Sequence, residues 1–440
     1  QGIGFKYEGD KASDVVTVGA GEFICRDCRF VGGHKTEEKT LGVGLYVFGT
    51  AKATLENCEL SGNALRGLEA TEEAQVLLNK VAIKGNEGIG IAFFDKSGGA
   101  VRNSQVRGNS EHGIDVNSKG NVDVEANVLE ENGEYGLALL SSTASRVSRN
   151  QIQRNGNGGI GIGGQATPAL SDNTIAENEG SGIAYFAEAS GTSSTNTLRS
   201  NVYFGIEVND GAKPSLEDNT IGDNGSGGLF YSGEAEGIAK GNRIEENKGH
   251  GVLLRDTARP VLENNQVRGN NQNGLLYLDA SSGRAGQNTV EANQEFGIFV
   301  QGLAKPMLEN NLLKQNAYSG LGIMGAAEPT ARGNTSEANG LHGFVAGDRS
   351  KPVLEANTST NQGLCGLLIR GLSQAIVTGN RLENNAASGI CVEELAKPEL
   401  RDNTLTANRS YGLFIARSAE PSLGENVFSA NRLGQVRREP

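Results

Sequence analysis

Apolar residues in this chain come in short alternating runs, each closed within a few residues by Gly, Asn or Pro. Gly113 to Asn117, reading Gly-Ile-Asp-Val-Asn, is typical. Alternation with period two is the pattern of a strand with one buried face. A helix needs apolar spacing near 3.6 and does not tolerate such frequent breakers. The runs also keep a beat. A Gly followed by a large apolar residue occurs at Gly44, Gly67, Gly90, Gly113 and onward to Gly412, seventeen times in steps of 23 residues without insertion or deletion.

With that Gly as position 0, other positions hold the same phase. Position 14 is Asn from Asn127 to Asn426, through Asn150, Asn173, Asn196, Asn219 and Asn242. Position 19 is Asn from Asn63 to Asn431, except at Gln362. Position 9 carries Pro168, Pro214, Pro260, Pro306 and later prolines. Position 16 is aliphatic, as in Leu60, Ile83 and Val106. Three short strands and three turns fill such a repeat. The prediction is an all-β, single-stranded right-handed parallel β-helix of about 17–18 coils. Equivalent residues then stack one strand spacing apart, so the Asn columns become ladders that satisfy turn backbone groups.

The beat defines the layout. Residues 1–43 form N-terminal coils with a Lys/Glu-rich loop inserted at 34–40, residues 44–434 are regular repeats, and 435–440 are a tail. Neither end carries an amphipathic cap. The expectation is a segment of a longer protein, or ends that pair with another chain.

Side-chain direction locates a working surface. Positions 1 and 3 of the first strand are apolar in almost every coil and are predicted to point inward, which turns positions 2 and 4 outward. Position 2 nevertheless reads Phe230, Leu253, Leu276 and Phe299 in consecutive coils, then Val345, Leu368, Cys391 and Phe414. An apolar stripe of this kind marks a contact surface. Its expected partner is a protein, a second copy of the chain or an extended polymer such as a polysaccharide. Three of the four histidines, His112, His250 and His342, sit at position −1. His250, Arg255, Asp256 and Asp279 fall in neighbouring coils and form the candidate catalytic group, because a carboxylate beside a cation can move a sugar proton. His112 with Asp115 is a second candidate.

Composition narrows the partners. A net charge of −12 disfavours nucleic acid and anionic membranes. No apolar run approaches the ~18 residues of a membrane span. Five cysteines, an odd number, do not suggest a disulfide framework. Left unpaired, they point to the cytoplasm. Cys28 and Cys58 share the Asn phase and read as stacked buried thiols. The Cys25–Cys28 spacing has no second pair to complete a metal site, and neither metal nor cofactor is expected. Gly159 to Gly164 matches G-x-G-x-x-G, but its phase places it in a strand rather than a phosphate loop.

The repeat, approximately A-x-P-x-L-x-x-N-x-I-x-x-N-x-x-x-G-I, is clear at Ala212-Lys213-Pro214 with Leu216, Asn219, Ile221, Asn224 and Gly228, and again from Ala304 to Gly320. It resembles the parallel β-helix repeats of the pectate-lyase-like superfamily. That group includes polysaccharide lyases, mannuronan C5-epimerases, a NosD-like periplasmic group and the β-helices of some F-box adaptors. The Asp-Pro-His-Asp type motif of the epimerases is missing here, and no long loops wall a cleft. The resemblance therefore implies a non-catalytic recognition or scaffold β-helix, with a polysaccharide lyase, epimerase or hydrolase as the alternative.

Overall fold

A computed structural model describes residues 1–37 and 41–440. Of the inserted loop, Glu38, Lys39 and Thr40 lie outside the described residues. The chain divides into two compact units, residues 1–220 and 221–440. Among the described residues every regular element is a β-strand. Within each unit the strands form parallel sheets in which each strand pairs with its counterpart one repeat later. In the first unit Ile91–Asp95 pairs with Ile114–Ser118, Gly98–Arg102 with Val122–Glu125, and Gln105–Arg107 with Val128–Glu130. Nine first strands lie in residues 1–220 and ten in 221–440. Near the C-terminus Gly434–Arg438 pairs with Tyr411–Ile415 and sets Arg437 beside Phe414. At the start of the inserted loop, His34 bridges Ser13 and Lys35 reaches Glu87 at 3.1 Å.

Crowding between coils requires the repeated Gly. A Cβ on Gly67 would stand 2.6 Å from the Gly90 carbonyl oxygen and 2.9 Å from Asn86 Nδ2. That amide belongs to the position-19 ladder, donating to Asn109 Oδ1 at 2.8 Å, and the position-14 ladder is bonded in the same way. Asn150 Oδ1 accepts both the backbone N–H of Asn127 (2.9 Å) and its Nδ2 (3.0 Å). Asn127 Nδ2 also donates to the Val101 carbonyl at 2.8 Å. The residue before nearly every ladder Asn turns the chain through a left-handed conformation, as at Ala126 (φ 55°) and Arg149 (φ 55°). A non-glycine residue costs roughly 1–2 kcal/mol there, and the buried amide bonds offset that cost. Gln362 shows how the ladder absorbs an exception. Its Oε1 still accepts from Asn339, while its Nε2 donates to the Ser336 carbonyl, in coils whose position 16 is Ser336 and Ser359 instead of an aliphatic residue.

The interior is filled by complementary sizes. Tyr185, Tyr231 and Tyr277 are fully buried at position 3. In the same coils the inward residue of the second strand is Ser193, Ala239 and Ala285, where neighbouring coils have Leu170, Leu216, Leu262 and Leu308. A large ring on one wall faces a small residue on another, which keeps the core at native density.

The cysteines depart from the expectation of free, stacked thiols. Cys25 is bonded to Cys28 and Cys365 to Cys391, leaving Cys58 as the free thiol. Cys28 and Cys58 do share a column, since the Cys28 N–H points at Cys58 Sγ at 3.4 Å. The Cys28 sulfur, however, turns across the corner of its own coil to Cys25. An odd count leaves one thiol over and does not prevent two bonds.

Candidate functional site

The first-strand sheet turns alternate residues in and out as its alternation predicts. Ile298 and Val300 are fully buried, whereas Phe299 between them keeps part of its surface. In residues 221–440 the outward position forms a continuous file of register partners. Phe230 pairs with Leu253, Leu253 with Leu276, and Leu276 with Phe299. The file continues through Gly322, Val345, Leu368 and Cys391 to Phe414. Its members do not contribute equally. Leu276, Val345 and Leu368 are 7, 4 and 7 % exposed, because neighbours in the file cover their flanks. They support the surface, while Phe230, Leu253, Phe299 and Phe414 present more of it.

The larger apolar area lies at the margins of this file and was not anticipated from the alternation. Tyr318, Leu341 and Leu364, at position −2 of three successive coils, are 40–46 % exposed. Farther along the coil Leu303, Leu372 and Leu395, all at position 6, are 47–61 % exposed, set apart from the file by Gln301, Arg370 and Glu393 at position 4. Next to the file, Phe296 stacks on Phe299 with ring centroids 4.8 Å apart and meets Tyr318 edge-on at 5.6 Å. The apolar face is thus widest from about residue 296 to residue 395. The signal existed in the sequence as a 23-residue phase at turn positions, where no alternation draws attention to it.

The proposed catalytic residues are not brought together as one group. His250 begins the strand His250–Leu254, and Asp256 lies beyond the other end, separated by more than ~13 Å of extended chain. Asp256 and Asp279 serve the turns. Asp256 Oδ2 accepts the Gly233 N–H at 3.0 Å, and Asp279 Oδ2 accepts the Asp256 N–H at 3.1 Å. Arg255 approaches Asp279 at 3.9 Å in an exposed pair, which contributes little. Burial lowers the His250 pKa to about 4, and its Nδ1 accepts the Asn273 N–H at 3.3 Å. His342 is likewise lowered to about 4, chiefly by burial.

The same outward position in residues 1–220 reads Tyr46, Glu69, Ala92, Asp115, Ala138, Gly161, Ala184 and Glu207, again as register partners. Here ionisable groups do gather. Arg66 Nη1 holds Glu69 at 2.6 Å and its guanidinium lies 5.2 Å from the Phe94 ring centroid. His112 Nδ1 is 3.0 Å from Glu134. Asp115 is 6 % exposed, and its Oδ1 has no hydrogen-bond partner. Burial raises the Asp115 pKa, opposed by His112 and Arg66. Burial also raises the Glu207 pKa.

Stacked parallel sheets, a 23-residue coil and Asn ladders define a β-solenoid. The chain belongs to the family described as "Right handed beta helix region", whose model matches residues 15–175, 158–302 and 276–428. No curated protein matches it in sequence. Among solved structures it is similar to the Vag8–C1 inhibitor complex, with a TM-score of 0.55 and 13 % identity over 96 % of this chain and 100 % of that one. It is also similar to the periplasmic alginate epimerase AlgG, with a TM-score of 0.39 and 13 % identity over 86 and 78 % of the two chains. The Azotobacter vinelandii mannuronan C-5 epimerase AlgE6 A-module gives 0.37 and 14 % over 79 and 91 %. Identities at this level speak for fold alone.

Proposed function

We propose that this chain is a recognition module that docks a partner protein on the outer face of its first-strand sheet, between about residues 296 and 395. The observation that carries this reading is the apolar surface of Phe296, Phe299, Tyr318, Leu341 and Leu364. Soluble chains rarely leave contiguous apolar patches beyond a few hundred Å² uncovered. Aromatic anchors beside aliphatic support suit a protein interface core. The engagement of Asp256 and Asp279 in backbone turns supports a binding role over a catalytic one for this face.

The test replaces Tyr318, Leu341 and Leu364 together by Ser and follows bis-ANS fluorescence alongside the melting curve. Dye binding falls several-fold while melting holds. Equal dye binding by the variant and the parent chain sinks the reading.

A polysaccharide-directed activity is the second reading, favoured by the buried Asp115 carboxyl beside His112 and Arg66. Incubation with a panel of uronate and neutral polymers, scored by product size and by unsaturated-product absorbance, distinguishes it. Products formed equally by an Asp115→Asn variant would count against it.

A further inference from the structure

Cys365 and Cys391 are one coil plus three residues apart. Cys365 stands just before Gly366, and Cys391 holds the outward position of the next first strand. Their packing places both with the outward file, where they are 6 and 5 % exposed. They pack with Val345 and Leu368, flanked by Met324, Ala387 and Phe414. Exposed Leu364 adjoins Cys365 in the chain, so the bond lies inside the apolar face. The Cys365 N–H also donates to His342 Nδ1 at 3.2 Å, tying this corner to the preceding coil.

The bond adds no contact between otherwise separate coils. Leu368 already pairs with Cys391, and Cys391 with Phe414. What it adds is a fixed link between the corner that carries Leu364 and the strand beside it. The two disulfides differ in reach, with sequence separations of 3 for Cys25–Cys28 and 26 for Cys365–Cys391. The entropy removed by a cross-link grows with the loop it closes. Stability in a solenoid is close to a sum over neighbouring coils, so a link across two coils acts on those coils.

We infer that Cys365–Cys391 is a redox-controlled lock on the apolar face, closed in an oxidising compartment. Closed, it holds Leu364 and Leu368 in one continuous surface. Opened, it lets the corner at 361–365 fray and the margin of the surface dissolve. Closure removes two protons and two electrons from the paired thiols, and a disulfide-bearing oxidant takes them up. Opening is the reverse exchange. A dithiol attacks one sulfur to give a mixed disulfide, its second thiol displaces the protein, and it leaves as a cyclic disulfide while Cys365 and Cys391 each gain a proton. The regulatory meaning rests on the docking reading above, whereas the bond and its local effect do not.

Two measurements on the full chain test this. Thiol titration of protein purified without reductant and unfolded in guanidinium reads one thiol, Cys58, with Cys365 and Cys391 recovered as a linked peptide. Recovery of both as free thiols overturns the inference. Hydrogen exchange then compares the parent chain with the Cys365→Ser/Cys391→Ser variant, which keeps Cys25–Cys28, and with dithiol-reduced parent. Amides of 364–369 and 390–392 exchange at least ~tenfold faster when the bond is absent, with distant coils unchanged. Unaltered exchange in both overturns it. If exchange responds but bis-ANS binding ignores Tyr318, Leu341 and Leu364, the lock stands and the docking reading fails.

Discussion

The two outward files occupy the same position of the same coil and carry opposite chemistry. In residues 1–220 the file after Tyr46 is small or acidic, with Ala92, Ala138, Gly161 and Ala184 set among Glu69, Asp115 and Glu207. In residues 221–440 it is Phe, Leu, Val and Cys, broken by Gly322. Charge follows the same division, with 19 Lys and Arg against 29 Asp and Glu in the first unit and 21 against 23 in the second. The inward positions 1 and 3 stay apolar in both units, and the position-14 ladder, which starts at Asn127 after Cys58, Val81 and Ser104, runs unbroken through the second. A solenoid thus separates the residues that fold it, at positions 1, 3, 14 and 19, from outward positions such as −2, 2 and 6 that vary from coil to coil. Selection can redraw a face without touching the core beneath it.

The largest effect should come from forcing the first file's chemistry on the second. Leu276→Asp places a carboxylate between Leu253 and Phe299 with no cation beside it. It should cost the second unit about 3 kcal/mol or more in urea unfolding. A loss under 1 kcal/mol would mean that the file is more open than its packing indicates.

An intermediate effect is expected from pH, with opposite sign in the two units. His250 and His342 bind protons less readily when folded, with pKa values near 4 against the ordinary 6.5. The stability they contribute is complete above pH 6.5 and is lost as pH falls toward 4, on the order of 2 kcal/mol per histidine. Asp115 and Glu207 have raised folded pKa values, so the destabilisation they cause at neutrality is relieved by acid. Hydrogen exchange at pH 7 and pH 5, corrected for intrinsic rates, should show protection falling around residues 250 and 342 and holding or rising around 115 and 207. A uniform change across both units would erase this contrast.

The smallest effect is Asp115→Asn, which keeps the shape and removes the poorly compensated charge. At pH 7 it should stabilise the first unit by about 1 kcal/mol, less as pH falls. A destabilised variant would show that the carboxylate is held by a partner.

The coil and its inside–outside rule were legible because each is written many times over. Seventeen glycines in phase leave little freedom for the strand that follows, and Ile298 and Val300 point where alternation sends them. Features written once were harder to read. Tyr318, Leu341 and Leu364 sit on corners, where period two has ended. Asp256 and Asp279 looked like free carboxylates because sequence cannot show that each accepts a backbone N–H from the preceding coil. The Cys365–Cys391 bond was hidden by the odd cysteine count and by an offset of one repeat plus three residues, which strand alternation would place on opposite faces; the corner before Gly366 brings Cys365 to the outer file instead.

The ladders have a direction. An asparagine oxygen serves the coil before it, taking both the backbone and side-chain donors where the predecessor is also Asn. Cutting Asn150 back to Ala would strand two buried N–H groups on Asn127, whereas Asn173 would keep the backbone N–H of residue 150 at its oxygen. Damage therefore propagates toward the N-terminus. A chain emerging from the ribosome always has its newest finished turn waiting on the one still to be made.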